Sequence, residues 1–291
     1  MFINNVNTLS LNDPLFPDSL KYTDPPVKQF FWAGKSPVDW LALPKVAIVG
    51  SRKNSAYGRF VSQRLSYELA AQGVVIISGL ALGVDSIAHQ SALEAEGCTI
   101  AVLPTALSNI YPASHFNLAN QILSKGGTLI SEYSAKDMVY KENFIARNRI
   151  VSGLADVLLI TEAAANSGTM HTARFALEQG KTVMSVPGNI NQPGSEGCNN
   201  LIKSGAVPVT DTSDVLLALG IKPTKKISVA KSKSFSTLQR SVLELILSGV
   251  SDQDEIARTA KLDAAELYST LTDLELAGAV RPQGAGRWIA I

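Results

Sequence analysis

Apolar runs alternate with amphipathic stretches through the middle of the chain, from about residue 46 to residue 209. The apolar runs predict strands buried on both faces, at 46–49, 74–77, 99–103, 128–130, 157–160, 182–186 and 206–209. The stretches between them predict helices at 60–71, 86–95, 116–123, 169–179 and 198–203. Such alternation is typical of an α/β fold with a mainly parallel sheet and helices on both faces.

The pattern differs on either side of this region. Residues 1–44 are punctuated by proline but contain Phe30, Phe31, Trp32 and Trp40, which predicts an irregular extension packed on the core domain 45–221. Residues 222–234 are rich in lysine and lack acids, as expected of a linker. Residues 235–291 predict helices at 238–247, 252–260 and 263–277 and a hairpin at 281–291. This arrangement is typical of a small winged-helix-like domain.

Composition limits the possible functions. The formal net charge of +1 over 291 residues excludes a generally basic protein, so a polyanion would have to bind to a local patch. Cys98 and Cys198 form neither a disulfide framework nor a four-ligand zinc site, which favours a reducing compartment. No secretion signal or membrane-length apolar run is present. We therefore expect a cytoplasmic protein with no membrane association, metal or cofactor.

The first predicted strand ends in a turn that suits an anion. Gly50 and Ser51 allow close approach to the backbone, Arg52 and Lys53 add positive charge, and a helix follows. The turn matches neither the Gly-x-Gly-x-x-Gly dinucleotide fingerprint nor the Gly-x4-Gly-Lys-Ser/Thr phosphate loop. A solvated surface turn is the alternative interpretation.

Further turns repeat this chemistry at strand ends. Ser78 and Gly79 open the second turn, where Asp85 is predicted to cap the next helix and His89 to be structural. Ser167, Gly168 and Thr169 open a predicted helix in the same way, and a Gly-Ser-x-Gly turn at 194–197 opens another. Because strands of an open parallel sheet place these turns at one edge, we expect one shared binding region.

A basic and aromatic segment lies between these turns. Lys141, Arg147 and Arg149 flank Phe144, and Asn148 separates the two arginines. Phe144 could stack on a nucleobase while the cations hold phosphates. Arg147 and Arg149 would point in different directions on a helix, so one could face the ligand and the other brace the structure. A solvated helix start is the alternative. No nucleophile elbow, carboxylate pair or metal cluster accompanies these residues, which favours binding over catalysis.

Several motifs in order resemble the DNA-processing protein A family, also called DprA or Smf. The matching blocks are Val46–Arg52 with Tyr57-Gly58, Ser78–Asp85 with His89, Tyr111-Pro112, Gly127–Glu132, Phe144 with Arg147–Arg149, Ser167–Thr169 with Thr172-Ala173, Val186–Gly188, and Gly197–Ala206.

This resemblance implies an extended Rossmann-like domain that binds single-stranded DNA without marked sequence preference. It also implies a homodimer that helps to load RecA recombinase onto DNA in natural transformation. The residues matched to the family's DNA contacts are Arg52, Lys141, Phe144, Arg147, Asn148 and Arg149. The turns at Ser78-Gly79 and at Ser167–Thr169 match its phosphate-facing turns.

The C-terminal unit is a poor candidate for a second DNA-binding surface. Residues 233–291 contain eight acidic and six basic residues, for a net charge of −2, and the predicted third helix, 263–277, has no Lys or Arg. Such a surface repels phosphates. A protein-contact or regulatory role is expected instead.

Two other functions remain open. The chain could be a nucleoside-monophosphate phosphoribohydrolase of a related α/β type, whose motif is Gly-Gly-x-Gly-Thr-x-x-Glu. Thr172 stands where that motif has its catalytic Glu, which removes the required acid or base. The same turns would also suit a sensor of a free nucleotide.

Overall fold

The computed structural model describes residues 5–222, 235–284 and 286–290. The chain divides into two compact units, Met1–Pro223 and Thr224–Ile291. Most of the expected linker, residues 223–234, lies outside the described residues. No helix in the described ranges is both long and apolar enough to cross a membrane.

The first unit contains one mixed sheet built from nine described strands. The strands are β1 Asn7–Ser10, β2 Gln29–Gly34, β3 Lys45–Val49, β4 Val75–Ser78, β5 Thr99–Leu103, β6 Thr128–Ser131, β7 Val157–Ile160, β8 Thr182–Ser185 and β9 Val207–Pro208. Their order across the sheet is β1-β2-β6-β5-β4-β3-β7-β8-β9. All neighbours from β6 to β9 pair in parallel, which confirms the predicted mainly parallel sheet.

Helices cover both faces of this sheet. They are α1 Asp18–Lys21, α2 Ala56–Ala70, α3 Val84–Glu94, α4 Phe116–Ser124, α5 Glu142–Ala146, α6 Asn148–Leu154, α7 Thr169–Glu178, α8 Glu196–Lys203 and α9 Thr212–Ala218. Short 3-10 helices lie at Pro37–Asp39, Ala113–His115 and Pro193–Ser195. Separate apolar clusters fill the two sides of the sheet. The central strands, such as β3 and β5, are therefore buried along their whole length.

The N-terminal segment extends the sheet, so its predicted irregular structure is wrong. β2 pairs antiparallel with both β1 and β6 and forms part of the continuous sheet. Phe30 and Trp40 are fully buried in the core cluster that also contains Ala47. Burial of these aromatic side chains anchors the segment to the parallel strands.

The second unit has three helices followed by a hairpin. Its described elements are α10 Thr237–Leu247, α11 Gln253–Ala260, α12 Ala264–Leu276, β10 Val280–Gly284 and β11 Arg287–Ala290. The helices begin with side-chain caps from Ser236, Asp252 and Asp263. Their apolar faces meet around Leu271 and Trp288. This order of elements confirms the predicted winged-helix-like arrangement.

Candidate nucleic-acid interface

The sheet changes its direction of winding between β3 and β7. The chain moves outward from β3 through β4 and β5 to β6, and later from β7 through β8 to β9 on the other side. The turns after β3 and β7 therefore flank a crevice, the usual ligand position in open α/β sheets. The Ser51 N–H donates to the Glu162 carbonyl at 2.7 Å and joins the two turns.

A cavity of about 540 Å³ occupies this crevice, and we call it the switch-point pocket. Its described lining residues are Val49, Gly50, Ser51, Arg52, Lys53, Ala81, Asp85, Phe144, Ile145, Arg147, Asn148, Ala164, Asn166, Ser167, Gly168, Thr169 and Thr172. Its volume lies within the range of small-molecule pockets. Turns that are more than a hundred residues apart in sequence thus form one site.

Close backbone packing shapes the floor of the pocket. A Cβ at Gly50 would lie 2.6 Å from Val84 Cγ2 and 2.8 Å from the Glu162 carbonyl oxygen, so no side chain fits there. Gly83 has a φ of +81°, and a Cβ on it would collide with the Ser51 carbonyl. These two glycines let the β3 turn lie against the start of α3.

Arg52 and Lys53 are exposed at the edge of the pocket. Among the described residues, the Arg52 side chain makes no hydrogen bond or ion pair. Its guanidinium keeps all its donors for a ligand, and a guanidinium matches the planar geometry of a phosphate. Arg52 is therefore free to contact an anion at this edge.

Arg147 supplies a second positive charge from inside the protein. It is only 4% exposed and donates to the carbonyl oxygens of Gly79 and Val102, and its Nε donates to Asn148 Oδ1 at 3.2 Å. Burial lowers the pKa of Arg147 to about 10, while the Asp85 charge opposes this shift and Arg52 adds to it. The guanidinium therefore remains positive at neutral pH.

Asp85 lies beside Arg147 and has a different role from the predicted helix cap. Its carboxylate accepts hydrogen bonds from the Gly79 N–H at 3.0 Å and the Ala81 N–H at 3.3 Å, so it organises the loop before α3. Burial raises the pKa of Asp85, whereas Arg147 and the loop donors lower it. A Cβ at Gly79 would lie 2.5 Å from Arg147 Cζ, which explains the glycine beside this pair of charges.

An aromatic surface borders the pocket. Phe144 lines it from α5, and its ring meets Tyr111 edge to face, with centroids 4.8 Å apart at 81°. This is a favoured geometry for aromatic pairs. Tyr111 is 50% exposed and therefore continues the aromatic surface toward solvent.

The turn before α7 forms the opposite wall. Ser167 Oγ accepts from the Thr169 N–H at 3.2 Å and donates to Thr169 Oγ1 at 3.0 Å, which fixes the start of the helix. A Cβ on Gly168 would meet no atom within 4 Å, so the turn is open above this residue. The positive end of the α7 dipole faces this region.

The structure brings together most, but not all, of the predicted site residues. The pocket contains Gly50, Ser51, Arg52, Lys53, Phe144, Arg147, Asn148, Ser167, Gly168 and Thr169. Ser78 and Gly79 are buried beneath it, where Ser78 Oγ donates to the Ile48 carbonyl at 2.6 Å. Lys141 is exposed just before α5 and does not line the cavity.

Arg149 faces the interior of the protein. It is 2% exposed, and its Nη2 contacts both carboxylate oxygens of Glu132 at 2.8 and 2.9 Å. Its Nε donates to the Pro25 carbonyl at 2.8 Å. These contacts join the N-terminal segment to α6, so Arg149 is the bracing arginine and Arg147 the one that lines the pocket.

Sequence reasoning missed several residues in the pocket. Thr172 follows Thr169 by three positions on α7, so helical spacing alone could have placed both on one face. Asn166 belongs to the same polar turn. Ala81 and Ile145 carried no chemical signal, and only the folded structure reveals their positions.

His89 has a structural role and does not line the pocket. His89 is fully buried, its Nδ1 lies 2.7 Å from Thr99 Oγ1, and burial lowers its pKa to about 3. It is therefore a neutral structural residue, as predicted. Within the described ranges, no group of three or more His, Cys, Asp or Glu residues could hold a metal ion.

The fold and the pocket together define an α/β protein with a crevice at its switch point that is lined by cations and large enough for a small molecule. Residues 7–220 match the family model described as DNA recombination-mediator protein A, and residues 229–286 match a DprA winged helix domain. This chain belongs to the DNA recombination-mediator protein A family, which confirms the resemblance seen in the motifs.

Individual relatives agree with this assignment. Protein Smf of Escherichia coli is 41% identical over 244 residues, which cover 80% of this chain and 64% of that protein. DNA processing protein DprA of Streptococcus pneumoniae is 39% identical over 210 residues, which cover 72% of this chain and 73% of that protein. The chain thus spans slightly less than two thirds of the length of the Escherichia coli relative.

Solved structures of relatives have the same fold. DNA processing protein A from Streptococcus pneumoniae matches with a TM-score of 0.68 and 36% identity, covering 74% of this chain and 75% of that one. The protein from Helicobacter pylori, reported for its single-stranded DNA binding mode, matches with a TM-score of 0.66 and 34% identity. That match covers 75% of this chain and 98% of the Helicobacter pylori chain.

Proposed function

We propose that this protein binds single-stranded DNA at the switch-point pocket and performs no chemistry on it. This proposal rests on one observation: exposed cations, turns at the N-termini of helices and the Phe144 ring line the same crevice. Arg52, Lys53 and backbone N–H groups would hold phosphates, while a base stacks on Phe144. The single-stranded DNA binding reported for the Helicobacter pylori relative supports the choice of ligand.

Single strands suit this site better than duplexes. Stacking on Phe144 requires a base whose face is free, and a base inside a duplex is already stacked on both sides. The adjoining Tyr111 ring extends the aromatic surface beyond the pocket, so more than one nucleotide can be accommodated. A protein with a net charge of +1 binds DNA through such a local site and not through its general charge.

The assembly and domain roles belong to this proposal as well. Family membership supports a homodimer that hands the bound strand to RecA recombinase. We assign DNA binding to residues 45–221, with residues 1–44 as a supporting extension, 222–234 as a linker and 235–291 as a protein-contact module. The acidic balance of the last segment supports a protein partner over DNA.

A free nucleotide is the second candidate ligand, because a cavity of about 540 Å³ would accept one. Hydrolysis of such a nucleotide has less support. Thr172 offers no carboxyl, and the carboxylate of Asp85 already accepts two backbone N–H groups beside Arg147. Asp85 is thus already engaged in organising the loop before α3.

The test is a binding titration with fluorescent oligonucleotides. We expect a single strand to bind more tightly than the matching duplex, with affinity falling at a log–log salt slope of about 0.7 per contacted phosphate. Nucleoside monophosphates should compete poorly and remain unhydrolysed when followed by chromatography. A flat salt profile together with efficient competition by a monophosphate would replace the DNA proposal with the nucleotide one, and release of free base would show an enzyme.

A further inference from the structure

A second cavity adjoins the switch-point pocket. It has a volume of about 810 Å³ and lies beyond the carboxyl end of β8, between the start of α2 and the turns at 187–189 and 192–195. Lys53 lines both cavities, so they are direct neighbours. We call the second one the carboxylate pocket because its buried wall contains Glu162.

Glu162 is 5% exposed, and only part of its carboxylate is used by the protein. Oε2 accepts a hydrogen bond from the Ser55 N–H at 2.8 Å. Oε1 accepts none from the described residues, yet it is not sealed from solvent. An accessible carboxylate oxygen that meets no donor from the described residues is available to accept a hydrogen bond from a ligand.

Glycines keep this oxygen accessible. Gly194 lines the carboxylate pocket, and a Cβ on it would lie 3.1 Å from Glu162 Oε1. On the other side of the carboxylate, a Cβ on Gly58 would collide with Glu162 Oε2. The carboxylate is thus held between two positions that lack side chains, and its free oxygen points toward Gly194.

The chemistry of this pocket differs from that of its neighbour. Lys53, at the boundary, is the one cation among its described lining residues, whereas Glu162 is negative and buried. A phosphate would be repelled here, but a neutral group with N–H donors would be attracted. Tyr57 adds an aromatic wall and is fixed by its hydroxyl, which donates to the Pro187 carbonyl at 2.8 Å.

We propose that the carboxylate pocket receives one base of the strand held at the switch-point pocket, and that Glu162 Oε1 selects bases with an exocyclic amino group. Cytosine presents an N4 amino donor where thymine presents an O4 acceptor. Thymine has only its ring N–H to donate, and its flanking carbonyls would face the carboxylate. This inference rests on the proposed function and adds a modest base preference to the broad binding that the family resemblance implies.

The experiment compares oligo-dC with oligo-dT of equal length. These pyrimidines differ little in stacking but reverse the donor and acceptor at the position that meets Glu162. We expect the wild-type protein to bind oligo-dC about fivefold more tightly, as one additional hydrogen bond would give. Equal affinities for the two oligonucleotides would overturn the inference, whereas failure to bind either would refute the proposed function itself.

Two variants assign the preference to Glu162. In Glu162→Gln the amide oxygen can still accept from the Ser55 N–H while the amide nitrogen donates into the pocket, so the ratio should fall to one or reverse. Glu196→Gln is the matched control, because it removes the same charge from a nearby exposed position outside the pocket lining. A dC/dT ratio in Glu162→Gln equal to that of wild type would overturn the inference.

Gly194→Ala gives a test that leaves the carboxylate in place. Its new methyl group would crowd Oε1 without removing the charge or the Ser55 hydrogen bond. We expect it to lower the ratio of oligo-dC affinity to oligo-dT affinity toward one. If Glu162→Gln does not fold, this variant decides the matter, and an unchanged ratio in it would overturn the inference.

Discussion

Replacing Arg147 should destabilise the first unit far more than replacing an exposed cation. Arg147→Met keeps an apolar stem but removes the guanidinium that donates to the carbonyls of Gly79 and Val102. Gly79 and Val102, which carry these two acceptors, are both buried residues. Each unsatisfied buried group costs about 1–3 kcal/mol, so the free energy of unfolding should fall by about 2–6 kcal/mol.

This loss is large enough for a simple thermal assay. For a domain of this size, 1 kcal/mol corresponds to about 2–4 °C, so the Tm should fall by roughly 4–24 °C in circular dichroism. Arg52→Met is the matched control, because Arg52 is exposed and makes no hydrogen bond with a described residue. Its Tm should change by less than about 2 °C.

The deficit of Arg147→Met should also depend on pH. Burial already raises the pKa of Asp85 above its ordinary value of 3.8, and loss of the nearby positive charge raises it further. A carboxyl with a raised folded-state pKa contributes stability below the unfolded pKa and loses it as pH rises through the folded pKa. The deficit should therefore grow as pH rises through the raised folded-state pKa of Asp85 toward neutrality, and Arg147→Met/Asp85→Asn should remove that growth.

Two results would refute this reasoning. One is a Tm for Arg147→Met that matches the Arg52→Met control, because the buried carbonyls would then need no donor. The other is a deficit that stays constant with pH in Arg147→Met, because Asp85 would then not respond to the guanidinium.

Two predictions concern binding. Arg52→Glu should abolish detectable binding of a single-stranded oligonucleotide in fluorescence anisotropy, with little change in Tm. Arg59→Glu is the control, because Arg59 is exposed and lies outside both pockets, and this variant should retain most of the binding. Similar affinities for the two variants would remove Arg52 from the site. Phe144→Ala should weaken binding by about 1–3 kcal/mol while the salt slope stays unchanged, since stacking releases no counterions. A markedly lower slope in Phe144→Ala would contradict stacking as its role.

The parallel strands could be predicted from the sequence because a strand buried on both faces consists of a continuous run of apolar residues. The runs at 99–103 and 157–160 coincide with β5 and β7, and the other runs from 46 to 209 differ from their strands by one or two residues. A central parallel strand must be apolar throughout its length, whatever its neighbours are. Local pattern is therefore sufficient for these elements.

The antiparallel part of the sheet could not be predicted in the same way. β2 contains consecutive aromatic residues with no alternation, and prolines surround it. Its strand conformation depends on antiparallel pairing with β6, about a hundred residues later, where Phe31 lies opposite Ser131. A signal that arises from a distant partner is not present in the segment itself.

The two arginines of the 147–149 segment show the same limit at the site. Helical geometry predicts that they diverge, and they do, but nothing local determines which one faces the ligand. Glu132 and the Pro25 carbonyl hold Arg149, and both belong to segments remote in sequence. Residue type and spacing predicted a binding region, whereas the role of each cation depends on tertiary partners.

The contrast between Arg147 and Arg52 suggests how charge is divided at the pocket. Arg147 is immobilised by backbone carbonyls and balanced in part by Asp85, so it supplies a fixed positive potential whether or not a ligand is present. Arg52 is unpaired among the described residues and free to adapt to a phosphate. If DNA binds here as proposed, a fixed charge below and an adaptable one at the edge would allow different strands to bind in different conformations. Substitutions of Arg52, at the edge of the pocket, should thus change the affinity for DNA. Substitutions of Arg147, beneath the pocket, should mainly change the stability of the protein.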